Sequence, residues 1–214
     1  MTTTERALLT ESVHATLREQ IFAGELPPGA ALSVPALAAK LNVSRTPVRE
    51  AVQQLISEGI AVYTRNAGAK VDVVDDETIR AVFEVREVLD GLAAHQATLR
   101  ATYKNIEDLS VLVVDQRALL DTPPDHRRDA RMDLEFHTAI RDIAGNKPLR
   151  EASTRLDGQA HLYRSDMWTI EENRRIAVDE HERILAAIRS GDAEGARSAA
   201  SAHVAGLLVR TRRK

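Results

Sequence analysis

At 214 residues and 43% hydrophobic content, the chain is long enough to bury one large core or two small ones. Cysteine is absent, which removes disulfides, thiolate metal sites and cysteine nucleophiles, and no stretch approaches the roughly 20 apolar residues of a membrane helix. The formal net charge of −3 rules out a protein that coats nucleic acid by bulk charge, so any DNA contact must come from a local patch.

The opening MTTTERALLTESV lacks the basic flank and apolar run of a secretory signal, and the expectation is a soluble protein of a reducing cytoplasm. Five of the seven Lys/Arg up to Asp75 (Lys40, Arg45, Arg49, Arg65, Lys70) fall between residues 40 and 70. Val13, Leu17 and Ile21 predict a first helix over about Thr10 to Ala23, stopped by Gly24 and the turn Pro27-Pro28-Gly29. Ser33 can cap a short second helix carrying Leu37, Ala38 and Leu41, ended by Asn42. Ser44 can cap a third, with Pro47 in its first turn, Val48, Val52 and Leu55 on one face and Gly59 as its stop. Two helices so closely joined make a helix-turn-helix candidate. IAVYTR and AKVDVV around Asn66-Ala67-Gly68 read as a two-stranded wing.

Arg45 and Arg49 stand four apart, on the side of the third helix away from its apolar face. Arginines at the start of a recognition helix can pair with guanine in the major groove; a solvated helix face is the plain alternative. The string VSRTPVREAVQQLISEG, Val43 to Gly59, resembles the recognition segment of GntR-family transcription regulators. That resemblance implies DNA contacts by Ser44, Arg45, Thr46 and Arg49. It also implies a wing glycine near the minor groove, here Gly68, with Arg65 as a phosphate or groove contact. Many relatives carry a basic or aromatic-rich wing tip where this chain has Asn66-Ala67-Gly68-Ala69-Lys70.

After Asp75 and Asp76, which can cap a helix, the period is helical throughout. Helices are expected over about 77–99, 105–121, 124–144, 147–164, 170–190 and 192–212, with Asn105 and Asp192 as caps. The basic end Arg210, Arg212, Arg213 and Lys214 suits the negative pole of a last helix. The fold expected is thus mainly α: a winged helix-turn-helix over 1–74, then an all-helical bundle over 75–214.

Asp133, His137, His181 and His203 each fall on an apolar helix face, where an unpaired polar group costs several kcal/mol. Three imidazoles and a carboxylate on one divalent ion would satisfy all four, and Asp133 and His137 are one turn apart. Separate hydrogen-bonded core polars remain the alternative. DLEFH, followed by a histidine 44 residues after His137 and another 22 residues later, resembles the ligand set of the FCD domain, the sensor of the FadR-like branch of GntR regulators. The resemblance implies metal binding by these four residues. Zinc is the first expectation, with nickel and manganese compatible.

Arg86 lies on the face of Ile79, Val82, Phe83, Leu89 and Ala93, where a guanidinium can hold a carboxylate by two hydrogen bonds. The resemblance implies a role in binding an acid effector; an ion pair with Asp90, four residues on, is the alternative. Asn146, His161 and Arg164 are further pocket candidates. The reading is a non-enzymatic, metabolite-responsive regulator, foremost a repressor, acting as a homodimer on operator DNA and sensing a small organic or sugar acid. A metalloenzyme using Glu135 or Glu180 as base is weaker, because no nucleophile or substrate motif accompanies the ligands. A constitutive DNA binder with a structural metal is the closer competitor.

Overall fold

The computed structural model describes residues 3–163 and 166–211; Arg164, Arg212, Arg213 and Lys214 lie outside the described residues. The chain divides into two compact units, Met1–Asp75 with Asp157–Tyr163, and Asp76–Leu156 with Arg164–Lys214. The expected boundary after residue 74 had left Asp157–Tyr163 with the second domain; they group instead with the first.

In the first unit, α1 (Thr3–Phe22), α2 (Val34–Leu41) and α3 (Arg45–Ser57) precede a hairpin of β1 (Ala61–Thr64) and β2 (Gly68–Val71). α1 starts seven residues before the expected Thr10, in a polar segment with no apolar period to betray it. Leu17, Val48, Ala51, Leu55 and Val71 are fully buried in a core closed by Val13, Ile21, Leu32 and Leu37. Asn42, in the left-handed conformation at φ 53°, ends α2 and returns its N–H to the carbonyls of Ala38 and Ala39. Ser33 and Ser44 do stand at the N-cap positions, but neither side chain makes the expected capping bond. The strands pair antiparallel in the register Ala61↔Val71 to Thr64↔Gly68, and Ala31 bridges to Lys70 on the other side.

The second unit holds α4 (Asp76–Arg100), α5 (Tyr103–Leu119), α6 (His126–Ala144), the start of α7 (Lys147–Tyr163), a short 3-10 helix Asp166–Thr169, α8 (Glu171–Ser190) and α9 (Ala193–Thr211). Asn105 is not a cap. Thr102 takes that position, its hydroxyl accepting from the Asn105 N–H while the Asn105 side chain accepts from the Thr102 N–H. Asp125 caps α6 by accepting from the N–H groups of Arg127 and Arg128, and Asp192, as expected, accepts from Gly195 N–H at 2.9 Å.

Small residues set the tightest seam. Ala93, Ala94 and Ala97 of α4 are buried in one core cluster with Ala196 and Ala200 of α9. The Ser201 hydroxyl reaches the Glu87 carbonyl at 2.8 Å. Phe136, Leu109, Ile184 and Ile188 fill the remaining core, and α6, α8 and α9 each bury two or more polar residues beside it, His137, His181 and His203 among them.

Candidate metal centre and nucleic-acid interface

The start of α3 offers a polar surface backed by packing. Ser44, Arg45, Thr46 and Arg49 are exposed, whereas Pro47, Val48, Ala51, Val52 and Leu55 are buried. Glu50, the acid nearest these arginines in sequence, is bound by Arg6 and accepts from the Thr10 hydroxyl at 2.9 Å, so its charge is tied to α1. Arg65 is exposed in the wing turn, where Asn66 at φ 72° supplies the reversal. Gly68 has φ 78° and open space where a Cβ would point; its conformation calls for glycine and its backbone is unobstructed. Tyr63, 66% exposed on β1, adds a phenol to the wing. The strand period gives no signal for it, since a residue two places from buried Ala61 falls on the same face, yet Tyr63 is exposed.

Asp133, His137, His181 and His203 are all buried, and one ligand atom from each lies within 4.8 Å of the others. From Asp133 Oδ1 the three Nε2 atoms stand 3.7 Å (His137), 3.4 Å (His181) and 3.8 Å (His203) away. Helical geometry explains the convergence: Asp133 and His137 are one turn apart on α6, and α8 and α9 each bring one imidazole against them.

The outer atoms of two rings decide their tautomers. Gln116 donates its Nε2 to the Met132 carbonyl at 2.8 Å, which leaves its Oε1 to accept from His181 Nδ1 at 2.7 Å. Glu180 accepts from His203 Nδ1 at 2.8 Å and is clamped by Arg210 through both carboxylate oxygens, at 3.0 and 2.7 Å. Each N–H therefore sits on Nδ1, and both Nε2 lone pairs face inward. Arg210, expected to act on the pole of the last helix, is instead this carboxylate's partner.

That inward set is unfinished without a cation. His137 Nε2 and His203 Nε2 lie 3.1 Å apart, and neither Asp133 Oδ1 nor His181 Nε2 has a hydrogen-bond partner among the described residues. Burial, joined by the neighbouring imidazoles and the charge of Arg86, holds His137 well below its usual pKa, and burial lowers His181 likewise, so both stay neutral and able to donate a lone pair. Burial alone would raise Asp133, but the imidazoles around it more than offset this and keep its carboxyl low. Ligand atoms on an ion with bonds of about 2.1 Å stand roughly 3.0 to 3.4 Å apart in octahedral or tetrahedral arrangement, near the spacings observed. The residues fit a divalent metal.

Arg86 is paired with Asp90 at 3.3 Å, and Arg141 donates to the other Asp90 oxygen at 3.0 Å, all three buried. Arg141 was not anticipated. Asn146 donates to Gln96 at 3.1 Å and accepts from Leu149 N–H at 3.2 Å, which places it at the start of α7 rather than at the metal group. The His161 ring is bonded to the Asp157 carbonyl in the first unit.

A cleft opens beside the ligand group, with Asp133, His181 and Gln116 on its wall and Trp168, Met132 and Val178 around them. Trp168 was missed because a lone tryptophan in a short irregular segment carries no periodic signal. No helix among the described residues is long and apolar enough to cross a membrane.

Comparison with known proteins gives matches to two families. Residues 9–71 match "Bacterial regulatory proteins, gntR family" and residues 81–206 match the FCD domain. The chain is 31% identical over 197 residues to "Uncharacterized HTH-type transcriptional regulator in unstable DNA locus" of Streptomyces ambofaciens, covering 90% of this chain and 80% of that one. It is 26% identical over 215 residues to "Probable D-xylose utilization operon transcriptional repressor" of Paenarthrobacter nicotinovorans, covering 99% and 94%. Among solved structures, E. coli McbR/YncC superposes with a TM-score of 0.78 at 22% identity, covering 96% of this chain and 99% of the other.

Proposed function

Because the chain belongs to the gntR family of bacterial regulatory proteins and carries an FCD domain, we propose that it is a cytoplasmic, homodimeric repressor that binds operator DNA and answers to a small organic or sugar acid. The family makes it a DNA-binding transcriptional regulator. Its two recognition helices would enter successive major grooves, with Ser44, Arg45, Thr46, Arg49, Arg65 and Gly68 as the contacting residues. Residues 1–74 carry this task and residues 75–214 the sensing and pairing. The repressor assignment draws on the D-xylose relative, whose name states that role.

The observation that carries the sensing half is the buried convergence of Asp133, His137, His181 and His203. They would hold a divalent ion, zinc foremost and nickel or manganese as alternatives. When bound, such an ion supplies positive charge and open positions for an acid. Gln116 and Glu180 orient the imidazoles, and Arg86 adds positive charge beside His137. An acid that prefers one placement of the DNA-binding units would change operator affinity by that preference.

The test is fluorescence anisotropy of labelled promoter DNA, with zinc-loaded and metal-stripped protein, across a panel of acids. An acid that shifts the binding midpoint only in the loaded protein, with the shift lost in His137→Ala and reduced in Arg86→Ala, supports the reading. Unchanged midpoints for every acid would overturn it. They would favour a constitutive DNA binder with a structural metal, to which the existing pairing of Arg86 with Asp90 already lends weight.

A further inference from the structure

Glu50 is the one acid between Glu25 and Glu58, and it stands on the helix that carries Arg45, Thr46 and Arg49. It falls one turn beyond Thr46 and roughly 40° round the helix from it, on the half-exposed side of α3. A free carboxylate there would repel the phosphates that the arginines approach. Up to Asp75 the chain has seven Lys/Arg against eight Asp/Glu, so a single unmasked acid on this face counts.

Both oxygens of that carboxylate are engaged from α1, Oε1 by the Arg6 guanidinium and Oε2 by the Thr10 hydroxyl at 2.9 Å. Arg6 and Thr10 are one turn apart, so they project together toward α3, and Thr10 is buried. Their bonds hold the Glu50 carboxyl below the usual carboxylate range, so it stays ionised and paired. The pair does little for the fold, because the Arg6 and Glu50 side chains are 51% and 40% exposed and ion pairs in contact with water are weak. Val13, Leu17 and Ile21, further along α1, anchor that helix in the core. What the pair changes is the charge of the surface around Arg45 and Arg49.

We infer that Arg6 is a positioning residue for DNA binding: it acts through Glu50, cancelling the acid of the recognition face, and the polar first turns of α1 thereby belong to the DNA-binding apparatus. The inference rests on the placement of α3 against DNA given above.

The full chain and its variants are titrated into a short fluorescein-labelled duplex of mixed sequence, which reads the sequence-independent electrostatic part of binding, at salt from about 50 to 200 mM. Arg6→Gln should weaken binding roughly three- to tenfold at the low end and less as salt rises. Arg6→Lys, which keeps the charge, should retain most of the affinity, and Glu50→Gln should tighten binding. The double variant Arg6→Gln with Glu50→Gln is neutral there like the native pair, and should return to within about twofold of wild type with the same salt slope. A double variant as weak as Arg6→Gln, with a salt slope about 0.9 shallower than wild type, would mean that Arg6 touches phosphate itself and would overturn the inference. Wild-type binding by Arg6→Gln would overturn it too. Should Arg6→Gln lower Tm, the rescue still decides, because removing a second partner does not restore packing. Arg45→Ala is the control: if it binds as weakly as expected while Arg6→Gln does not, the inference alone fails, and if both bind as wild type, the placement of α3 fails with it.

Discussion

His203 presents its Nδ1 to the Glu180 carboxylate at 2.8 Å, and its opposite nitrogen faces Asp133 and His137. The carboxylate is itself held by Arg210, and although burial alone would raise its pKa, the bonds from His203 and Arg210 bring it down to about 2. A charged acceptor behind an imidazole fixes its tautomer and makes it a better donor to a metal. Glu180→Gln should therefore weaken zinc binding by about 10- to 100-fold with circular dichroism unchanged, and the visible spectrum of the cobalt-substituted protein should shift. Arg210→Ala should have a smaller effect in the same direction. Competition titration with a chromophoric chelator measures both.

Removing the metal should lower thermal stability, because the ion binds the folded chain and stabilises it by mass action. The effect is about 4 kcal/mol when free metal stands a thousandfold above its dissociation constant. Scanning calorimetry of chelator-treated protein should show a lower Tm that zinc restores. In Asp133→Asn or His137→Ala the restoration should be blunted.

The metal-free protein should lose stability on mild acidification. His137 and His181 have folded pKa values held below the ordinary 6.5. Above that value both the folded and unfolded chains carry neutral rings; below it the unfolded chain takes up protons that the buried rings refuse, and unfolding gains. Urea midpoints of the stripped protein should fall between about pH 7 and pH 5. His181→Gln should reduce that slope.

Arg45 and Arg49 are exposed on a helix whose opposite face is buried, so their loss should spare the fold. Arg45→Ala and Arg49→Ala should each weaken operator binding by about 1–3 kcal/mol and relax specificity at the base pair contacted. Anisotropy against operator and scrambled DNA measures this. A melting temperature lowered by several degrees would show that the side chains pack rather than read.

Gly91 marks the tight approach of α4 to α9. A Cβ there would run into the Ser201 hydroxyl and come within 3.2 Å of the Arg197 carbonyl. Gly91→Val should destabilise the second unit by about 1–3 kcal/mol through overpacking, read as a lower Tm with DNA affinity per folded molecule unchanged.

Much of the architecture was legible because periodicity and punctuation are local. Gly145 and Gly191, both left-handed at helix ends, and Asp192 at a helix start were readable as such. So were the positions of the helix-turn-helix and the hairpin. The polar beginning of α1 was not, since Thr4 to Leu8 are exposed and show no apolar period. The Asn105 side chain suits a cap, but the choice between it and Thr102 depends on where the chain turns into α5.

The four ligands were legible as polar residues on apolar faces, a property each helix carries alone. Their convergence was expected only through the resemblance to the FCD ligand set, because spacing along one helix says nothing of which faces meet across a bundle. Gln116, Glu180 and Arg210 owe their roles to groups 23 to 65 residues away in sequence. Arg86 shows the same division. Its burial followed from the apolar face it shares and its pairing with Asp90 was the alternative that a spacing of four offered, while Arg141, 51 residues from Asp90, reaches the same carboxylate only through the packing of α6 against α4. The sequence by itself determined which helices form, which faces they bury and which polar groups those faces carry. The tertiary structure decided which of those groups share a site, because burial makes each seek a partner and packing alone determines which partner is in reach.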